Sequence, residues 1–316
     1  MTRSNEASPR LAIVLPTYNG ESYLAAQLDS LLQQDYPDFV IVARDDGSTD
    51  GSQAILQRYA KEHPSRFHLL ATMGGNLGAS GSFSCLLEYV LEHKDALGLE
   101  AAYVMCSDQD DVWHPAKISK TMQAMLALES AHPQRACLVH GDLRVVDAQG
   151  RVIAESFFAY QDIRPHRHGF ARMLVSNSVT GCTALLNETL ARLATPIPPD
   201  AVMHDWWFAL LAAACGHIHS IDEALLDYRQ HASNTLGAQP YRPSGFSFAK
   251  LRSLGDPQYD ALTDALYRQA AAFAGRHHDA LSNRAIFTLS IALWMGSTKR
   301  ILRNAVFYVL RKGGMR

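Results

Sequence analysis

Four short apolar runs, each followed by polar residues and then by a helix-period pattern, constrain this chain more than any other feature. They are Leu11 to Leu15 (LAIVL), Phe39 to Ala43 (FVIVA), Phe67 to Ala71 (FHLLA) and Tyr103 to Cys106 (YVMC). Runs this short and this uniformly apolar read as strands buried on both faces, as in a parallel sheet covered by helices. After the first run, Leu24, Leu28, Leu31 and Leu32 share one helical face, and Asn19 is placed to cap that helix. Ile55, Leu56 and Tyr59 mark a second helix after DDGSTDGS. Leu86, Leu87, Val90 and Leu91 mark a third after the Gly-rich GGNLGASGSF. This alternation predicts an α/β fold: a Rossmann-like, mostly parallel sheet flanked by helices, with right-handed crossovers.

The second half is less regular. A strand pair is expected around the turn Asp147 to Gly150, a buried helix over residues 204 to 215 closed by Gly216, and one or two strands between Ile218 and Tyr228. From about residue 245 the pattern is helical. Ser, Asn, Gly and Pro cluster near residues 233–244 and divide the chain into 1–240 and a C-terminal helical region, 241–316. At 316 residues and 47% hydrophobic, the chain can bury a full core, which excludes disorder as its main state. A net charge of -2 argues against nucleic acid as a partner. Five dispersed Cys without a CxxC pair read as reduced thiols of a cytoplasmic protein. No apolar leader precedes the first strand, and no run approaches the ~18 apolar residues of a membrane span.

In an open α/β sheet, ligands bind beyond the C-terminal ends of the strands. Here those ends carry Pro16, Thr17, Tyr18 and Asn19; then Asp45 and Asp46; then Asn76; then Asp108, Asp110 and Asp111. Five carboxylates on one rim repel one another and call for a cation. Oxygen donors favour Mg²⁺ or Mn²⁺ over zinc, shared with substrate phosphates. Ser48, Thr49 and Asp50 are read as helix-capping residues. Three acids in the four residues 108–111 exceed what one cap needs and are read as functional.

The ordered set LPTYNG, RDDGSTD, SDQDDVW, HDWW and YRQH, spread over residues 11 to about 235, resembles the inverting family-2 glycosyltransferases of GT-A fold. SDQDDVW and VTGCTALLN are most like the rhamnosyltransferase branch. The resemblance implies a nucleoside-diphosphate-sugar donor, dTDP-rhamnose favoured over a UDP-hexose. The implied acceptor is a glycan or lipid-linked glycan of cell-surface polysaccharide or O-antigen synthesis. It implies that the turn Pro16, Thr17, Tyr18 and Asn19 lines the nucleotide, with Tyr18 against the base, and that Asp46 accepts the pyrimidine N3–H. Asn76 lies on the nucleotide side, Asp108 reaches the ribose, and Asp110 holds the metal. Asp111 and Trp113 lie toward the sugars. Asp205 is the catalytic base, doubling as a helix cap, with His204 beside it. Trp206 and Trp207 are either an acceptor floor or core. Arg229 neutralises the diphosphate, and His231 is a metal ligand, a phosphate donor or a surface loop histidine. Two other classes stay open: a non-catalytic glycan or nucleotide-sugar binder, and a sugar-1-phosphate nucleotidyltransferase. The latter needs a Gly-rich basic loop after the first strand, which PTYNGESY is not.

After Asp279 the chain has no acidic residue but seven basic ones: Arg284, Lys299, Arg300, Arg303, Arg311, Lys312 and Arg316. Between them lie IFTLSIALWM and ILRNAVFYVL. Three readings follow for residues 284–316: peripheral contact with an anionic membrane surface, packing on the catalytic domain, or packing on a second copy in a homodimer.

Overall fold

The computed structural model describes residues 8–71, 75–231 and 257–294, together with Leu310; side chains in the last stretch are described from residue 261. Strands β1 (Leu11–Thr17), β2 (Phe39–Asp45), β3 (Phe67–Leu69) and β4 (Tyr103–Cys106) lie parallel in the order β3-β2-β1-β4. Because strand side chains alternate in direction, each of these runs feeds two cores. Ala12, Val14, Val40 and Val42 pack with Phe83, Leu86, Leu87 and Val90 of helix α3 (Gly78–Glu92). Leu11, Ile13, Leu15 and Ile41 pack with α1 (Leu24–Leu32), α2 (Ser52–Glu62) and α4 (Lys117–Ala131). Burial on both sides explains why the runs are apolar throughout instead of alternating.

The sheet continues beyond β4 through β8 (Leu185–Leu186), β6 (Ala136–Asp147), β9 (Gly216–Gln230) and β5 (Val112–Trp113), and β7 (Val152–Ala154) pairs with β6. The long β6–β9 pairing is parallel, whereas each antiparallel pairing is only two residues long, so most of the ladder is parallel. The expected hairpin around residues 147–150 forms as β6–β7. The helix expected at 204–215 is α8 (His204–Cys215). The region expected to hold one or two strands is one, beginning at Gly216 itself. A Cβ there would overlap the carbonyl oxygen of Ala136, so only glycine lets β9 start flush against β6.

Two local expectations are corrected. β3 stops at Leu69, short of Ala71. Asn19 does not cap α1; the N-cap is Tyr23, which makes no side-chain cap bond. Asn19 instead adopts φ 49° and accepts the backbone N–H of Thr49 at 2.8 Å, stitching the loop after β1 to the loop after β2.

Four short helical elements lie between β7 and α8: α5 (Phe157–Tyr160), α6 (Phe170–Met173), a 3₁₀ turn at Gly181–Thr183, and α7 (Glu188–Ala194). Helices α9 (Pro257–His277) and α10 (Asn283–Trp294) bury Leu266, Phe273, Leu289 and Ala292 in the same apolar cluster as α3 and α8. Phe273 meets the Trp207 ring edge-on at 5.9 Å, and Gln269 accepts the Val202 N–H at 2.9 Å. The boundary expected near 233–244 lies outside the described residues. Among those described, no helix is long and apolar enough to cross a membrane.

Candidate active site

The strand order reverses between β1 and β4, and the loops after these two strands meet at the C-terminal rim. They are tied together by side chains bonding to backbone. The Tyr18 N–H donates to Gln109 Oε1 at 2.8 Å, and Gln109 Nε2 donates to the Tyr18 carbonyl at 3.0 Å. Ser48 and Ser52 accept the N–H groups of Asn19 and Gly20. The Tyr18 ring is left 48% exposed, free to meet a planar ligand. Asn76 is exposed, and its Oδ1 accepts the Gly78 N–H at 2.9 Å.

The two acids that end β2 have opposite fates. Arg44 and Asp46 are two residues apart and so share a face, where their side chains form a buried ion pair. Arg44 also bonds Ser82 Oγ of α3, and Asp46 accepts the N–H groups of Leu77 and Gly78 at 2.8 and 2.9 Å. Asp46 is thus built into the wall instead of facing a base. Asp45 points to the other face, beside its register partner Thr17. Its Oδ2 accepts from Gly47 and Ser48, but its buried Oδ1 and the buried Thr17 Oγ1 have no partner. Pro16, in register with Arg44, is a half-buried strand residue.

The loop after β4 concentrates charge. Burial, together with Asp110 and Asp205, pushes the Asp108 carboxyl up to about 7. Burial, Asp110 and Asp108 push Asp111 well above the usual carboxylate range. Asp111 accepts the Arg229 N–H at 3.3 Å, while its Oδ2 is buried without a partner. Ligating atoms of Asp108, Asp111 and Cys182 lie within 4.8 Å of one another. Lys117 sits buried beneath, its Nζ 3.2 Å from the Trp113 ring centre. Burial brings this amine down to about 7. On the solvent side, His231 Nε2 lies 2.7 Å from Asp110 Oδ2, with its ring stacked on Tyr23 at 4.8 Å. Asp110 and His231, the two residues expected at the metal, are thus neighbours, and the tertiary structure adds a thiol, Cys182, beside Asp108 and Asp111.

Asp205 is the second residue of α8, where the helix dipole and free N–H groups favour an anion. Its Oδ2 accepts the Gly181 N–H at 3.0 Å and its Oδ1 accepts Asn177 Nδ2 at 3.2 Å. Burial nevertheless raises its carboxyl to about 7, the range suited to a general base. Gly181 is needed at this contact. A Cβ there would lie 2.5 Å from His204 Nε2, and His204 is pinned against Phe83 with ring centres 3.9 Å apart. Gly181→Ala should lower stability by about 1–3 kcal/mol and turnover by at least ~10-fold. Thermal unfolding and initial rates check this.

Several expected ligand residues lie in the interior. Trp113, Trp207, His204 and Asp111 are all buried, so the first three line no sugar site and Asp111 supports the acid loop from below. Trp207 donates to the Ala194 carbonyl at 3.1 Å, and half-buried Trp206 donates to the Met173 carbonyl at 2.6 Å; both join the core. Arg229 is buried too. Its Nε and one Nη bond the carbonyls of Asp110 and Ala148, bolting the end of β9 to the acid loop.

The rim acids, a base-range carboxylate at a helix start and an exposed ring on the first loop gather on one side of an α/β sheet. The model of the family described as "Glycosyl transferase family 2" matches residues 12–178. The chain belongs to glycosyl transferase family 2. It is a glycosyltransferase, and its sheet is that of the GT-A fold. Among curated relatives, the dTDP-rhamnosyl transferase RfbG of Shigella flexneri is 28% identical over 238 residues, 71% of this chain and 74% of that protein. The putative teichuronic acid biosynthesis glycosyltransferase TuaG of Bacillus subtilis is 30% identical over 118 residues, 37% of this chain and 42% of that protein. Among solved structures, S. aureus TarS 1-349 in complex with UDP-GlcNAc superposes with a TM-score of 0.54 at 15% identity, covering 96% of this chain and 92% of that one; this likeness concerns the fold.

Within this family-2 enzyme, sequence reading placed Asp45 on the rim but gave it no role, and missed Gln109, Lys117, Asn177, Gly181 and Cys182. VTGCTALLN holds two of them and was legible as a family pattern. That Gly181 and Cys182 face different acids was not.

Proposed function

We propose that the protein transfers a sugar, L-rhamnose from dTDP-rhamnose in the first instance, to a hydroxyl of a glycan or lipid-linked glycan in cell-surface polysaccharide synthesis, with inversion. The observation that carries this is Asp205: a carboxylate in the base range, held by two donors and close enough to Asp108 to raise it. Asp205 takes the proton of the acceptor hydroxyl as that oxygen attacks the anomeric carbon, and the diphosphate leaves from the opposite face. No covalent intermediate is required. RfbG, as a dTDP-rhamnosyl transferase covered over most of its length, supports the donor. A UDP-hexose donor is the second reading, because uracil and thymine present the same N3–H.

The base is read by Asp45 instead of Asp46. Asp45 Oδ1 and Thr17 Oγ1 are an acceptor and a hydroxyl left unpaired side by side, which suits the N3–H and carbonyl edge of a pyrimidine. The exposed Tyr18 ring covers it. The donor set also fits a divalent cation: three carboxylates crowd together with Lys117 as their buried cation, and one buried oxygen of Asp111 has no partner. Asp110 and His231 would hold it, with Asp108 beside them, and the imidazole shifts the preference from Mg²⁺ toward Mn²⁺. When bound, the cation neutralises charge growing on the leaving diphosphate. Arg229 acts by holding the His231 strand to the Asp110 loop.

Thermal unfolding with Mn²⁺ or Mg²⁺ and each of dTDP, UDP, GDP, ADP and CDP tests this reading. Ligand at 100 times Kd adds roughly 2.7 kcal/mol, several degrees. The expected result is metal-dependent stabilisation by dTDP, weaker with CDP, which lacks the N3–H. Stabilisation by GDP or ADP alone would overturn the pyrimidine site, and UDP above dTDP would favour the second reading.

A further inference from the structure

The Tyr23 ring, at the start of α1, touches both functional side chains at the end of β9. The His231 imidazole stacks on it, with ring centres 4.8 Å apart and planes inclined by 29°. The central guanidinium carbon of Arg229 lies 4.9 Å from the centre of the same ring. A stacked imidazole and a cation over a π face are both favourable contacts. Arg229 and His231 are two residues apart, so one flat side chain can meet both. Both also reach the acid loop: His231 Nε2 lies 2.7 Å from Asp110 Oδ2, and Arg229 Nε donates to the Asp110 carbonyl at 3.0 Å.

The backbone holds the two sides of this contact differently. The Tyr23 N–H donates to the Gly20 carbonyl at 3.0 Å, and the Gly20 N–H donates to Ser52 Oγ at 2.8 Å, so the turn that carries the ring is tied to α2. On the other side, the last ladder pair of β9 joins Gln230 to Asp147, and His231 lies one residue beyond it. Past the ladder, side-chain contacts select among the imidazole's staggered rotamers. A ligand that occupies its binding rotamer for only a fraction of the time weakens affinity by that fraction. We infer that Tyr23 is a positioning residue: its ring, fixed by the turn after β1, keeps His231 against Asp110 and so sets the affinity of the site for a divalent cation. This rests on the reading of Asp110 and His231 as the cation's ligands. It adds a residue of the first loop that governs how tightly the cation is held by the other two.

The test is titration of the full chain with Mn²⁺ at saturating dTDP or UDP, whichever stabilises the wild type, read by loss of the free-ion EPR signal. Tyr23→Leu keeps apolar bulk without a ring face and should raise the Mn²⁺ dissociation constant by at least ~10-fold. Tyr23→Phe retains the ring and should restore the affinity. A second ringless variant, Tyr23→Met, is expected to match Tyr23→Leu and takes its place if that chain does not fold. In turnover, Tyr23→Leu should need at least ~10-fold more Mn²⁺ for half-maximal rate, with kcat at saturating Mn²⁺ changed far less. A double-mutant cycle with His231→Ala separates this inference from the reading beneath it. His231→Ala alone should weaken Mn²⁺ binding, and adding Tyr23→Leu should then weaken it little further. If the wild type binds no Mn²⁺, or His231→Ala binds it as the wild type does, the ligand assignment fails and the role of Tyr23 falls with it. If His231→Ala weakens binding while Tyr23→Leu matches the wild type, or the two losses add in full, only the role of Tyr23 is overturned. The same holds if Tyr23→Phe binds as poorly as Tyr23→Leu.

Discussion

Asp205→Asn lowers turnover by at least ~100-fold while nucleotide-induced stabilisation survives. Asparagine keeps the volume but cannot take the acceptor proton, and among the described residues Asp205 accepts from Gly181 and Asn177, neither of which belongs to the base site proposed at Thr17 and Asp45. Its amide can satisfy one of those two donors, so some stability is lost, about 1 kcal/mol. Removing a buried charge offsets part of this. The pH dependence has a definite sign. With its carboxyl raised to about 7, Asp205 is ionised, and competent as a base, only above that pH. kcat/KM should therefore fall about tenfold per unit as pH drops below about 7. The same shift acts oppositely on stability. Between the ordinary aspartate range and about 7, the folded state holds a proton that the unfolded chain has lost, so stability declines as pH rises through that window. Asp205→Asn should flatten that slope. Initial rates and unfolding midpoints across this range measure both, and a variant with wild-type turnover would remove Asp205 from the mechanism.

Asp46→Ala and Asp45→Ala, one residue apart, should fail in different ways. Asp46→Ala leaves Arg44 buried with its carboxylate gone and two loop N–H groups without their acceptor. Breaking a buried pair from one side costs about 3–5 kcal/mol, which is about 5–8 °C in unfolding temperature for a chain of this size. The Leu77–Gly78 turn that opens α3 should loosen with it. Asp45→Ala removes one bonded oxygen and one unpaired oxygen, so the unfolding temperature should change little. The stabilisation by dTDP should fall by at least ~10-fold in apparent affinity, together with the preference over CDP. Thermal unfolding of both variants, with and without nucleotide, separates the roles. If Asp46→Ala stayed as stable as wild type and lost only nucleotide, the base would be read by Asp46 after all.

These two acids also show where sequence reading ends. RDDGSTD places both at the end of a buried strand, and β2 does end at Asp45, with Asp46 next in the chain. Which of them meets the ligand depends on strand parity and on which helix covers each face. Arg44 and Asp46 face α3, where Ser82 and the 77–78 turn receive them, while Asp45 faces the other side beside Thr17. The aromatic residues make the same point. Trp113 and Trp207 have the composition of a sugar platform and the burial of core, because Lys117 and Phe273 cover them from elements adjacent only in space.

The sequence by itself determined the alternation of strands and helices, the parallel first half and the rim on which the acids gather. Those follow from local hydrophobic period and chain direction, which a few neighbouring residues set. Tertiary structure alone decided the environment of each acid: His231 beside Asp110, Cys182 and Lys117 around Asp111, Gly181 and Asn177 on Asp205. Partners tens of residues away set each carboxylate's solvation and countercharge, and these in turn determine whether it serves as wall, ligand or base.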